Sequence, residues 1–214
     1  MDQNQEDQMI EHAEQAAKQE VEEKQLSRRQ KLFKDFRDVL VVVTIFMLAY
    51  VLFFRAVVVV GDSMYDTLAN GDRLLVLNNF VYREAKPGDV IVASKDSFKN
   101  GECIIKRVIA TEGQEVDINF ETGTVYVDGQ ALSEPYLFSP TKRPEGMRFP
   151  LVVEAGCVFV MGDNRMDSKD SRDPDIGLID EREILGKAIF LLWPGTGSRE
   201  NPMKFDFTRI GGIN

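Results

Sequence analysis

The feature that most limits what this chain can fold into is an apolar run after a basic collar. Arg28, Arg29, Lys31, Lys34 and Arg37 precede Val39–Phe54, 16 residues without a charge. Extended through Arg55 to Val60, the run holds 22 residues and one charge. At about 1.5 Å per residue, a helix of this length spans a hydrocarbon core of about 30 Å. Arg55 would then reach back to the headgroups. The alternative, a buried core helix, fits poorly with the basic collar, and a cleaved signal peptide would begin earlier and end in small residues. Basic residues gather before the run, so its N-terminal side is expected in the cytoplasm and the rest outside. This divides the chain into a polar tail and collar (residues 1–38), an anchor (39–60) and an exported domain (61–214). Residues 1–25 hold eight acids and two lysines and lack an apolar stripe. They read as a solvated tail, disordered or loosely helical.

The exported part reads as β. Short apolar or alternating runs recur at 73–78, 89–94, 103–110, 124–127, 157–161 and 188–193, separated by Gly, Pro, Asn and Asp. Without long helical stripes between them, these strands predict a mainly β, antiparallel domain, barrel-like or a sandwich, beside one N-terminal transmembrane helix. Residues 117–128 read as a hairpin turning at Glu121-Thr122-Gly123. Residues 131–150 contain four prolines and read as an irregular excursion.

Composition removes several chemistries. There are 26 Lys+Arg against 35 Asp+Glu, a net charge of −9, which argues against a nucleic-acid partner. The one histidine, His12, lies in the tail, so a Ser-His-Asp or Cys-His mechanism has no base in the exported domain. Cys103 and Cys157 stand far apart without metal-ligand spacing, and no metal or cofactor is expected. Export permits a disulfide, but the simpler expectation is two buried thiols.

Three segments carry candidate chemistry. Ser63 follows a glycine in Gly61-Asp62-Ser63-Met64, just past the anchor, where many serines only cap a turn. Lys106 lies in the apolar strand Cys103–Ala110, and alternation turns it away from Arg107. An edge-strand lysine would reach water; a desolvated one would lose proton affinity and serve as a neutral base near pH 7. The third segment, Met161–Asp173, is dense in polar residues after an apolar strand, with spacing unlike a calcium-binding loop.

Together these segments resemble the type I signal peptidases, membrane-anchored Ser/Lys peptidases. Gly61–Leu68 is similar to the family's nucleophile box, Gly71–Phe80 to its next box, and Lys106-Arg107-Val108-Ile109 to its general-base box. Met161–Arg165 with Ser168, Asp170, Ser171 and Arg172 is the nearest match, and Gly186-Lys187-Ala188 with Trp193-Pro194 fits the last strand. The resemblance covers residues 30 to 195 and implies that residues 114–156 form a small extension of the exported domain. It implies Ser63 as nucleophile, Lys106 as general base and Ser168 as the hydroxyl that orients the lysine amine. Arg107, Asp163, Asp170 and Arg172 would be supporting charges. The implied activity is serine endopeptidase cleavage of signal peptides from preproteins at the cell membrane, with small residues preferred one and three positions before the cut. The cleavage segment would bind as an added strand. Implied partners are preprotein signal peptides and the lipid bilayer, with Met64 resting at the lipid surface. Asp66 stands where the family usually has proline, and Gly61 where some relatives carry a hydroxyl. The alternative is a catalytically inactive or narrow-specificity membrane-anchored β-domain that binds exported peptides.

Overall fold

The apolar run behind the basic collar is divided between a helix and a strand. In the computed structural model, which describes residues 3–95, 102–195 and 206–213, helix α1 spans Gln3–Phe53. Its stretch Arg28–Phe53 is long and apolar enough to cross a membrane, and none of it is buried. The acidic residues expected as a tail belong to the first half of this helix. The chain forms two compact units, residues 1–50 and 51–214.

In the second unit the chain leaves the helix as strand β1 (Phe54–Val58), which pairs antiparallel with β2 (Arg73–Asn78) from Phe54↔Leu77 to Val58↔Arg73. The apolar anchor read as residues 39–60 is therefore helical only to Phe53, and Arg55 is a strand residue rather than a helix-end one. A continuous apolar run carries no period to separate helix from strand. The β-branched residues Val57–Val60 favour an extended backbone, and β2 supplies the partner edge.

The other strands are β3 (Val90–Ser94), β4 (Cys103–Thr111), β5 (Glu115–Asn119), β6 (Thr124–Val127), β7 (Gln130–Ala131) and β8 (Leu151–Val152). They continue with β9 (Cys157–Met161), β10 (Ile179–Asp180), β11 (Ile184–Trp193) and β12 (Gly211–Gly212). The main sheet runs β1-β2-β11-β3-β4-β9-β10, with β12 added on β11. A smaller sheet runs β7-β6-β5-β8. Every ladder is antiparallel, so the fold is mainly β and barrel-like, although the main sheet stays open at β1 and β10. The expected hairpin is β5–β6, paired from Val116↔Val127 to Asn119↔Thr124.

Three apolar clusters hold the sheets. Met64 and Leu68 pack with Leu74, Val76, Val90, Val92 and Leu191, which fixes the turn after β1 onto the main sheet. Ile91, Ile104, Val108, Val160 and Ile179 form a second cluster. Ile109, Phe159 and Met161 of the main sheet meet Val116, Ile118, Val125 and Val153 of the smaller one. Fully burying such a side chain contributes about 1.5–3 kcal/mol before entropic costs. Met64 is therefore a core residue, and the lipid contact expected of it is not available. Cys103 is exposed and Cys157 half-buried, both as free thiols, so the expectation of two buried thiols is met by neither.

Candidate functional site

The segment after β1 turns back on itself at Gly61, whose φ of 93° lies in the left-handed region where a side chain is strained. Its N–H is held by Asn70 Oδ1 at 3.1 Å. Residues 62–68 then close a tight turn: Tyr65 N–H donates to the Asp62 carbonyl at 3.1 Å and Leu68 N–H to that of Met64 at 2.8 Å. Met64 and Leu68 point into the core, so the turn presents Ser63 half-exposed. Asn164 clasps the turn from the other side. Its N–H donates to the Ser63 carbonyl at 3.0 Å and its Nδ2 to that of Asp62 at 3.1 Å.

Lys106 reaches this hydroxyl from β4, and although β4 pairs only with β3 at this position, its side chain is buried rather than reaching water as an edge-strand lysine would. Its Nζ lies 2.6 Å from Ser63 Oγ, and the residue is 5% exposed. Burial is the main influence on the amine and lowers its proton affinity to about 8 from an ordinary 10.5. The charges of Asp170, Asp163 and Glu145 oppose that fall, and Arg172 adds to it. Near pH 8 about half of Lys106, and at pH 7 about a tenth, is an uncharged amine with a free lone pair beside a serine hydroxyl, as nucleophile activation requires.

The segment from Gly162 to Arg172 packs behind the pair. Asp170 is fully buried and takes both Nε (2.8 Å) and a terminal nitrogen (2.9 Å) of Arg172. It also accepts the Gly162 N–H at 3.0 Å and the Ser168 hydroxyl at 2.7 Å. Burial alone would raise this carboxyl, but Arg172, Gly162 and Ser168 together hold it below its ordinary value. The hydrogen bond that Ser168 makes is thus to Asp170, rather than the one expected to the lysine amine. An ionised carboxylate is the stronger acceptor for its single proton. Gly162 sets the spacing here. A Cβ at this position would fall 2.6 Å from Ser168 Cβ and closer still to Ser168 Oγ and the Ser63 carbonyl.

Arg107 and Asp163 form a second buried pair, joined at 2.9 and 2.8 Å. Arg107 also donates to the Gly88 carbonyl at 2.8 Å and stacks over the Tyr136 ring at 3.9 Å. Asp163 accepts from Thr67 Oγ1 at 2.5 Å, which ties the pair to the Ser63 turn. Asp163→Asn should destabilise the fold by about 3–5 kcal/mol, because a buried guanidinium loses its counter-charge. Urea unfolding would measure this, and a loss below about 1 kcal/mol would contradict it.

Reading the sequence missed several partners. Arg165 is buried against Glu134 and Thr141, with its Nε on the Gly162 carbonyl at 2.9 Å. Asp72 is buried under Arg209, which also donates to the Thr67 carbonyl at 3.2 Å. Glu134 and Arg209 lie outside every apolar run, and no local signal marks them. Asp72 and Arg165 sit in quoted motifs and could have been named from them.

Beside Ser63 lies a groove of about 670 Å³, lined by Val57–Met64, Glu102–Lys106, Asp167 and Lys169. Two unpaired strand edges face it. Among the described residues β1 pairs only with β2, and β9 meets β4 only from Arg107 onward, leaving Cys103–Lys106 paired on one side.

The profile of the family described as signal peptidase, peptidase S26, matches residues 32–193. The chain belongs to the signal peptidase family. Signal peptidase I of Bacillus licheniformis is 35% identical over 181 residues, covering 81% of this chain and 95% of that protein. Signal peptidase I of Bacillus amyloliquefaciens is 33% identical over 181 residues, covering 80% and 91%. A probable signal peptidase I-1 of Synechocystis is 39% identical over 144 residues, covering 64% and 69%. The family match contains all seven residues singled out from the sequence, and it ends before Arg209.

Proposed function

We propose that this chain acts as a signal peptidase I, a membrane-anchored serine endopeptidase that removes signal peptides from preproteins by a Ser63–Lys106 dyad. The contact that carries this reading is Lys106 Nζ at 2.6 Å from Ser63 Oγ, with the amine buried. In the reactive form Lys106 is neutral and accepts the hydroxyl proton. Ser63 Oγ attacks the scissile carbonyl, and the Ser63 N–H is the proposed donor to the oxyanion. The ammonium then returns its proton to the leaving amine as the C–N bond breaks, giving an acyl-Ser63 ester and a free mature N-terminus. Water, deprotonated by Lys106, hydrolyses the ester.

Ser168 acts on the base through position. Its hydroxyl proton goes to Asp170, which leaves its oxygen lone pairs able to accept from the amine. Asp170–Arg172 and Asp163–Arg107 hold the surrounding segments. The preprotein segment lies extended in the groove, its backbone pairing with the edges of β1 and of β4 near Cys103–Lys106. The apolar wall of Val57–Val60 with Ile104 and Ile105 suits small side chains. The basic collar on α1 favours a cytoplasmic N-terminal side, with residues 61–214 beyond the membrane. Residues 114–156 form the accessory extension of this domain, carrying the smaller sheet.

The test is a detergent-solubilised preparation of the full chain given a secretory preprotein. Cleavage is expected at the end of the signal peptide, identified by sequencing the mature N-terminus. A bulky residue one position before the cut should block it. Absence of any mature product, with the preprotein bound, would favour the peptide-binding alternative.

A further inference from the structure

The buried charges around the base do not balance until Glu145 is included. Asp163 with Arg107 and Asp170 with Arg172 are both neutral pairs. When Lys106 takes the serine proton it becomes a buried cation, and neither pair offers it a net counter-charge. Glu145 belongs to the irregular excursion between β7 and β8, yet its side chain is only 8% exposed. Its Oε2 is buried without a hydrogen-bond partner. The nearest cation on its own segment, Arg143, is 60% exposed and 4.0 Å away, so water weakens that pairing without removing it.

Backbone contacts hold this loop against the base cluster. Met147 N–H donates to the Arg172 carbonyl at 3.0 Å, and an Arg172 terminal nitrogen donates to the Arg143 carbonyl at 3.1 Å. Glu145 follows Pro144, and Gly146 (φ 116°) leaves room where a Cβ would press on Pro174. The loop is thus pinned on both sides of Glu145.

We propose that Glu145 is a positioning residue for the reaction: its carboxylate supplies the net counter-charge that stabilises Lys106 as an ammonium while the serine proton is in transit. This rests on the Ser63–Lys106 reading above. The charged groups that act on Glu145 are Arg172, Asp170, Arg143 and Asp173, and burial raises its carboxyl. Those that act on Lys106 are Asp170, Asp163, Glu145 and Arg172. Removing only the Glu145 charge therefore lowers the proton affinity of the base, while Arg172 keeps its direct bonds to Asp170.

The experiment is the pH dependence of kcat and kcat/KM for preprotein cleavage by the full-length enzyme in detergent. Glu145→Gln should move the rising limb by about half a unit to lower pH and reduce the plateau kcat two- to threefold, with KM unchanged. Glu145→Asp keeps the charge and should restore most of both. Arg143→Gln tests the opposite sign without disturbing the buried groups. It leaves Glu145 less neutralised, so the limb should move to higher pH. A limb that stays in place in both Glu145→Gln and Arg143→Gln would overturn the proposal and leave the dyad standing. If Glu145→Gln does not fold, the sign of the Arg143→Gln shift decides alone. A wild-type enzyme whose rising limb does not depend on Lys106 would remove the dyad, and this proposal with it.

Discussion

Ser63→Ala and Lys106→Met should each abolish preprotein cleavage while the protein stays folded, and Lys106→Met should melt at a higher temperature than the wild type. Loss of the nucleophile is expected to cost at least about 10³-fold in kcat, and loss of the base about 10²–10⁴-fold. The gain in stability follows from the burial of the amine. Lys106 has an ordinary value of 10.5 when unfolded and about 8 when folded. Between those two values the unfolded chain binds more protons, so stability rises with pH across that window. Below it, the folded chain carries a buried ammonium at a cost that methionine does not have. Opposite changes in activity and stability mark a group kept for chemistry. A structural lysine would give a lower melting temperature instead. The wild-type rate should also rise with pH around 8, because the protonated amine cannot accept the serine proton. A rate that falls through that range, or a Lys106→Met enzyme with wild-type kcat, would sink the proposed mechanism.

Gly162→Ala is expected to have the next largest effect. Three features of the proposed site converge on the Gly162 Cα. Its N–H donates to Asp170, its carbonyl accepts from Arg165, and the space beside it is filled by Ser168 and the Ser63 carbonyl. A methyl group there must displace the Ser63 turn or the Ser168 side chain. Neither can give way easily, because Asn164 clasps the first and Asp170 holds the second. A displacement near 1 Å at the reacting atoms costs on the order of 100-fold in kcat. Overpacking a filled site costs about 1–3 kcal/mol of stability. Steady-state cleavage and urea unfolding of the purified variant measure the two effects. Activity within threefold of wild type would mean that the gap between Ser63 and Ser168 is not set here.

The motif residues were legible because their chemistry is carried by residue type. A lysine in an apolar strand, a serine after a glycine turn and an Asp-Arg-rich segment after a strand are visible one at a time. Bonding between them was less legible. Ser168 was expected on the lysine amine, yet its proton goes to Asp170, a choice made by the nearest strong acceptor. Met64 was expected at a lipid surface, yet it fills the core under Ser63, because the turn rolls its side chain inward. Residues 54–60 were read as part of the anchor, since an unbroken apolar run has no period to betray a strand. Glu134, Glu145 and Arg209 left no trace in any local pattern. Each is a charged residue in a polar segment, and each is brought to the site only by the folding of that segment.

By itself, then, the sequence determined the apolar helix and the side its collar favours, most of the strands, and the absence of a histidine base in residues 61–214. Those properties depend on periodicity, composition and charge, which act over a few neighbouring residues. Only the tertiary structure decided that Lys106, 43 positions from Ser63, meets it at 2.6 Å, and that burial brings its proton affinity toward neutrality. It also decided that β1 takes over the end of the apolar run. Burial and pairing belong to contacts made across the sheet, and a strand's partners are fixed by the whole fold rather than by its own residues.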